Sequence, residues 1–347
     1  MNRHSSILAL AGLGLCLAAG LRPGSDGSLA NEVATVSGPA ASLAKGKPVN
    51  LPIFESDWDG RSVRAQPALD RIGAAAARAR ATGRGQTVAV LDGGFDLRHE
   101  FLAGRLAPAG FDAIDGDDDP QDLGNGIDDD ASLESPGEAA TDRLVGHGTF
   151  VASLVLAVAP DATILAVRVL DDEGRGTAAA VASGIDFAVS HGASVINLSL
   201  VVGSAPEALR AALIRAQDAD VVVVAAAGTS DDGLVPDACF AAHALCVGAT
   251  DTLDGVAAFS AAGTLLCAPG VDVRGAIGGP FAGSYGRWSG VSFAVPLVAA
   301  GAALLRELHP TGWSAADLGD RLASRSDPLP GAGARRRLNL ALATASQ

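Results

Sequence analysis

Aromatic side chains make up only 4% of the 347 residues, so the interior cannot be organised around large rings. It has to be assembled from Ala, Val, Leu and Ile, with tight turns at the 43 glycines. Positive charge is equally short. A formal net charge of −14 excludes an extended nucleic-acid or anionic-membrane surface, because both demand clustered Lys and Arg. The Arg-rich pieces (Arg335 to Arg337, and Arg78, Arg80 and Arg84) are too short to form one and read as solvated ends. The N-terminal apolar run, Ile7 to Leu21, falls short of a comfortable membrane span, which needs roughly 20 residues. Behind the basic head Asn2-Arg3-His4 it has the layout of a cleaved signal peptide, with Ser28-Leu29-Ala30 as a small-x-small cleavage site and Ala18-Ala19-Gly20 as an earlier option. Cys16 suggests a lipoprotein, but Leu15 stands where a small residue is expected. Export to the periplasm or the exterior is therefore expected, with an uncleaved N-terminal anchor as the alternative.

Cysteine is also rare, four in all. Export permits disulfides, and with Cys16 removed three cysteines remain. Cys239 and Cys246 flank FAAHAL, a segment short enough to close as one loop, worth roughly 2.5 kcal/mol in the chain-entropy model. Cys267 is then the odd one, a buried small hydrophobe. The alternative is three buried free thiols.

What the chain does contain is an alternation of strands and helices. Residues 31–65 lack periodicity and are rich in Pro, Gly, Ser and Ala, which reads as a linker or short pro-segment between a signal peptide over 1–30 and one domain over 66–345. PALDRIGAAAARARATG has the pattern of a helix and QTVAVLDGG that of a buried strand entering a turn. HGTFVASLVLAVA, TAAAVASGIDFAVSHG, APEALRAALIRAQDA and AADLGDRLASRS read as helices. ATILAVRVL, ASVINLSL, HALCVGAT and LLCAPGVDV read as strands. VVVVAAAG shows no alternation, the mark of a strand buried on both faces. SFAVPLVAAGAALLREL is apolar enough to resemble a membrane span, but its length, Pro296 and polar flanks predict a buried central helix. The expected fold is α/β, a doubly wound and mostly parallel sheet with helices on both faces.

Asp92 ends the VAVL strand, while His147 in GHGT and Ser292 in SGVSFAVP each open a helix. Singly these are ordinary cap or turn residues. Together they fall at strand ends or helix starts on the carboxyl side of the sheet, where open α/β folds place ligands. Their chain order, Asp then His then Ser, is one known for nucleophilic triads. The chemistry needs these types: a serine hydroxyl attacks only if an imidazole takes its proton, and a buried carboxylate holds that imidazole in the right tautomer.

These segments, TVAVLDGGFDLRHEFL, GHGTFVASLV, VAPDATILAVRVLDDEGRGT, SVINLSL, VVVVAAAG, CAPG and SGVSFAVPLVAAGAALL, occur in the order of the subtilisin-like serine proteases, and over roughly 66–345 the chain resembles that family. The resemblance implies that Asp92 orients His147, that His147 is general base and then acid, and that Ser292 is the nucleophile and supplies one oxyanion N–H. It also implies that Ser199, Leu200 and Val201 with Ala226, Ala227 and Gly228 line a groove for an extended peptide. Polypeptide substrates, a monomer and no cofactor for catalysis are expected.

The sequence departs from the family in four places. Thr229 stands where the resemblance implies an oxyanion Asn, and its hydroxyl reaches about 1.5 Å less far. Val201 replaces a Gly and narrows the primary pocket, which predicts a preference for small residues before the scissile bond. Val291 and Phe150 replace a Thr and a His as packing changes. The segment before the domain is also too short for the folded inhibitory propeptide of many relatives. Finally, DAIDGDDDPQDLGNGIDDD over 112–130 offers oxygen ligands for a structural calcium ion. Asp115, Asp117, Asp119 and Asp122 form the better set and Asn125, Asp128 and Asp130 a second. The alternative is a solvated acidic loop favouring basic substrates. The leading functional expectation is an exported serine endopeptidase, slowed by Thr229. The alternative is a catalytically impaired subtilase that binds peptides or proteins.

Overall fold

In the computed structural model the described residues are 35–37, 52–121, 145–172, 174–202, 205–229, 239, 243–261, 263–278 and 283–346. Their strands in chain order are β1 Thr35–Ser37, β2 Ile53–Phe54, β3 Thr87–Asp92, β4 Phe111–Asp112, β5 Thr163–Arg168, β6 Arg175–Thr177, β7 Val195–Leu198 and β8 Val201–Val202. They continue with β9 Val222–Ala226, β10 Leu245–Thr250, β11 Leu266–Pro269, β12 Val273–Ile277, β13 Ser284–Trp288, β14 Asp327–Pro328 and β15 Arg336–Arg337. Nine form one sheet in the order β14-β15-β11-β10-β9-β7-β3-β5-β4, parallel throughout except for the edge pair β14 and β15.

The unbroken apolar runs follow from helices on both faces. Along β3, Val88 and Val90 pack into one core with the helices His147–Val158 and Val295–Leu308, while Ala89 and Leu91 pack into the other with Ala178–Ser190 and Glu207–Asp218. In VVVVAAA the division is the same: Val222, Val224 and Ala226 face the first core and Val221, Val223 and Ala225 the second. Neither face meets water, so neither needs polar residues. The apolar segment Val291–Leu308, with mean hydropathy 1.6, is 89% buried inside the protein. It carries Arg306 because that guanidinium reaches the Asp220 carboxylate at 2.9 Å and carbonyls of Asp220 and Trp313 at 2.6 and 3.1 Å.

Two expectations are corrected. The helix expected from Pro67 divides into Pro67–Arg71 and Ala74–Arg78, because the chain leaves helical geometry at Gly73, where φ is +66°. The stretch expected as an irregular linker over 31–65 contributes β1, β2 and the short helix Gly60–Arg64, which Asp59 caps by accepting from the backbone N–H groups of Arg61 and Ser62. β2 pairs with β13, so this part of the chain is tied to the domain by main-chain bonds that hydrophobic periodicity does not register.

Candidate active site

β3 lies between β5 and β7, so the chain leaves it to one side and later returns on the other. A crevice at the carboxyl end of such a switch point is the usual ligand site of open α/β sheets. Asp92 is the last residue of β3, Ser199 and Leu200 follow β7, and Ala227, Gly228 and Thr229 follow β9. Neighbouring parallel strands bring these three tips to one edge.

His147 is the first residue of its helix and fully buried. The glycine after it is required by approach, since a Cβ on Gly148 would overlap the Gly94 carbonyl oxygen and lie 3.2 Å from the Asp92 Cβ. The helix start is thereby pressed against the end of β3, and Nδ1 of His147 meets Oδ1 of Asp92 at 2.7 Å. The same carboxylate oxygen accepts from the Gly93 N–H at 2.9 Å. With the proton on Nδ1, Nε2 of His147 is the basic nitrogen, and it is buried without a hydrogen-bond partner. The imidazole sits among apolar rings, edge-on to Trp288 at 5.5 Å and tilted against Phe293 at 5.3 Å. Phe150, where a histidine was expected from the resemblance, packs on both of those rings at 5.8 and 4.7 Å.

Ser292 lies in the single 3-10 turn Val291–Phe293 ahead of the helix Val295–Leu308, beside the residue whose ring touches the imidazole. Its hydroxyl donates to the Ser199 carbonyl at 3.1 Å, and the Ser199 hydroxyl donates back to the Ser292 carbonyl at 2.8 Å. Asn197 Nδ2 donates to the Ser199 hydroxyl at 3.0 Å. Asn197, Ser199 and Ser292 are all buried. Asn197 was missed by the sequence reading; the available signal was a polar residue in the otherwise apolar strand SVINLSL. Thr229 is half-buried and forms an isolated antiparallel bridge with Ser260. Leu200 and Ala226 are buried, and Val201 is half-buried in β8.

Beside Asp92 lies a second feature missed in the sequence. Arg168, in register with Asp92 across β3 and β5, is a buried guanidinium. It donates to Asp112 at 2.8 Å, Asp115 at 2.9 Å, Asp172 at 3.0 Å and the Gly93 carbonyl at 3.3 Å. Burial works against its charge, but the bond to Asp112 and the charges of Asp112, Asp172 and Asp115 outweigh it and raise the pKa further. Part of the expected calcium ligand set lies beside this cluster. Asp115 is engaged by Arg168, Asp117 turns one oxygen to the Asp119 backbone N–H at 3.0 Å, and among the described residues no three His, Cys, Asp or Glu side chains converge to hold a metal. The rest of both expected ligand sets, Asp122, Asn125, Asp128 and Asp130, lies outside the described residues. Cys239 and Cys246 are joined by a disulfide with Cα atoms 5.4 Å apart. Cys267 is a free thiol whose pKa burial pushes up.

A model of the subtilase family matches residues 83–338. The thermophilic serine proteinase of Bacillus sp. (strain AK1) is 37% identical over 233 residues, 64% of this chain and 52% of that protein. Subtilisin E of Bacillus subtilis (strain 168) is 34% identical over 258 residues, 70% of this chain and 61% of that protein. The match thus spans about half to three-fifths of those two relatives. Among solved structures, a cold-adapted subtilisin-like serine proteinase aligns with TM-score 0.61 and 29% identity, covering 75% of this chain and 89% of the other. With this fold and this carboxyl-edge site, the chain belongs to the subtilase family.

Proposed function

We propose that this protein is an exported serine endopeptidase that hydrolyses polypeptides through an acyl-enzyme on Ser292. The observation that carries the reading is the buried 2.7 Å contact between Asp92 and His147, which leaves Nε2 basic and unpartnered beside the turn that bears Ser292. Asp92 fixes the tautomer and stabilises the imidazolium. In this reading the Ser292 hydroxyl leaves the Ser199 carbonyl and turns towards Nε2. His147 takes its proton as Oγ attacks the scissile carbonyl, then gives that proton to the leaving amine. Water attacks the acyl-enzyme by the reverse sequence and frees Ser292. The backbone N–H of Ser292 belongs to a first helical turn, where N–H groups lack intrahelical acceptors, and is available to the oxyanion.

Thr229 is the second donor in this reading. Losing that donor in subtilisins themselves costs ~10²–10³ in turnover, roughly 2.7–4 kcal/mol, a family value and not one derived from this chain. A hydroxyl of shorter reach restores only part of it. Subtilases need no cofactor for catalysis, and the reading asks for none. The half-buried Val201 supports a preference for small residues before the scissile bond. The disulfide between Cys239 and Cys246 supports an oxidising destination, in keeping with export.

A second reading, a subtilase that binds peptides without turnover, draws on Thr229 and on the Ser292 hydroxyl being directed to Ser199. Hydrolysis of a small-residue peptide ester separates the two. The purified chain should turn it over and the Ser292→Ala variant should not; equal rates, or none in the wild type, would leave only the binding reading.

A further inference from the structure

A single hydrogen bond from Nδ1 to Asp92 fixes the direction in which the His147 imidazole points, but not the plane of its ring. The last torsion of a histidine side chain is broad, so packing has to set that plane. Two rings do so, Trp288 edge-on and Phe293 tilted, with ring centres 5.5 and 5.3 Å from the imidazole. They come from different elements, β13 and the turn that carries Ser292. Phe150 is what the two rings share. One helical turn on from His147 along the same face, it stands edge-on to Trp288 and tilted against Phe293.

Phe150 is itself held from behind. It is fully buried, and a Cβ on Gly275 in β12 would lie 2.7 Å from one of its Cδ atoms and 2.8 Å from the other Cδ and from one Cε, so the bare glycine backbone lies against the face of the ring. The buried Ser153 hydroxyl fastens the same two elements, donating to the Phe150 carbonyl at 2.7 Å and accepting from the Ala276 N–H at 3.0 Å. β12 in turn pairs with β13, where Val273 stands opposite Trp288. Glycine backbone, Phe150, the two outer rings and the imidazole thus form one continuous stack, and a close-packed interior transmits a displacement rather than absorbing it. We propose that Phe150 is a positioning residue for the general base: it holds Trp288 and Phe293 against His147 and so keeps Nε2 turned to where the Ser292 hydroxyl must deliver its proton. This rests on the protease reading for its effect on rate, but not for its effect on the ring.

Two substitutions in the full chain perturb the stack in opposite senses. Phe150→Leu keeps an apolar side chain but removes the flat face, and Gly275→Ala adds a methyl that pushes the ring forward. In both, kcat on a peptide ester should fall at least ~tenfold, towards the ~10²-fold of a 1 Å misplacement, with KM within about twofold of wild type. Phe101→Leu removes a buried ring outside the stack and controls for lost packing; its kcat should stay within about threefold of wild type. The Nδ1–H proton of His147, assigned in the proton NMR spectrum by its loss in His147→Ala, reports the ring without turnover. It should exchange with water at least ~tenfold faster in both stack variants and at the wild-type rate in Phe101→Leu. Wild-type kcat and exchange in either stack variant would overturn the proposal, as would a loss confined to KM or an equal loss in Phe101→Leu. If Phe150→Leu does not fold, Gly275→Ala carries the test. If the wild type does not hydrolyse the ester, the protease reading falls and the exchange rate alone decides whether Phe150 positions the imidazole.

Discussion

Replacing Arg168 by methionine keeps the unbranched apolar stem and removes the charge at the centre of the Asp112, Asp115 and Asp172 cluster. The arginine side chain is 7% exposed, Asp112 1%, Asp172 12% and Asp115 59%. Asp115 can turn to water, whereas Asp112 cannot and would be left as a buried carboxylate without its counter-charge. Removing one partner of a buried pair costs ~3–5 kcal/mol, against a total stability of roughly 5–15 kcal/mol. At ~2–4 °C per kcal/mol for a domain of this general size, the melting temperature should fall by about 6–20 °C. The guanidinium pKa is raised, so its contribution is present below the ordinary value and lost only above the folded one, at a pH no protein tolerates. Mutation rather than titration has to be the probe. Chemical denaturation of Arg168→Met, Asp112→Asn and the double variant completes the test, with the double variant recovering part of the loss because the most deeply buried carboxylate is no longer stranded. A loss under ~1 kcal/mol in Arg168→Met, or strict additivity in the cycle, would refute the argument that this cation is the internal counter-charge of the acidic segment.

Two further substitutions probe the site directly. Gly148→Ala should displace the His147 helix from β3, since the added methyl meets backbone at Gly94 and the Asp92 Cβ lies 3.2 Å away; kcat should drop ~10²-fold, as for a misplacement near 1 Å, and a rate within threefold of wild type would contradict this account of the glycine. Thr229→Asn should raise kcat on a peptide ester about tenfold or more, within the ~10²–10³ that a complete oxyanion donor supplies in subtilisins; an unchanged or lower rate would remove Thr229 as the cause of slow turnover.

The parts of this molecule legible in its sequence are those set by local chemistry. VVVVAAAG announced a strand covered on both faces, and the cores on either side of Val222 to Ala226 supply the reason. The motifs around Asp92, His147 and Ser292 pointed to one edge of the sheet because strand ends and helix starts are local features. What stayed hidden depends on partners distant in sequence. Nothing in DAIDGDDD says that Asp115 will meet Arg168 rather than a metal, because that contact joins residues 53 apart. The aperiodic segment containing Thr35 to Ser37 has no face to bury, so its placement between β6 and β8 is decided by open edges elsewhere in the chain. Asn197 could be noticed as polar but not assigned, since its role is to hold a hydroxyl that itself touches Ser292.

The central claim is that Asp92 and His147 turn Ser292 into a nucleophile. It is tested most directly by reacting the protein with a fluorophosphonate and locating the adduct by peptide mass spectrometry, in the wild type and in Asp92→Asn. The account predicts one adduct, on Ser292, formed in the wild type and slowed by ~10⁴ in the variant, the loss that follows when the imidazole is held in the wrong tautomer. An adduct elsewhere, none on Ser292, or equal labelling of the two proteins would contradict it.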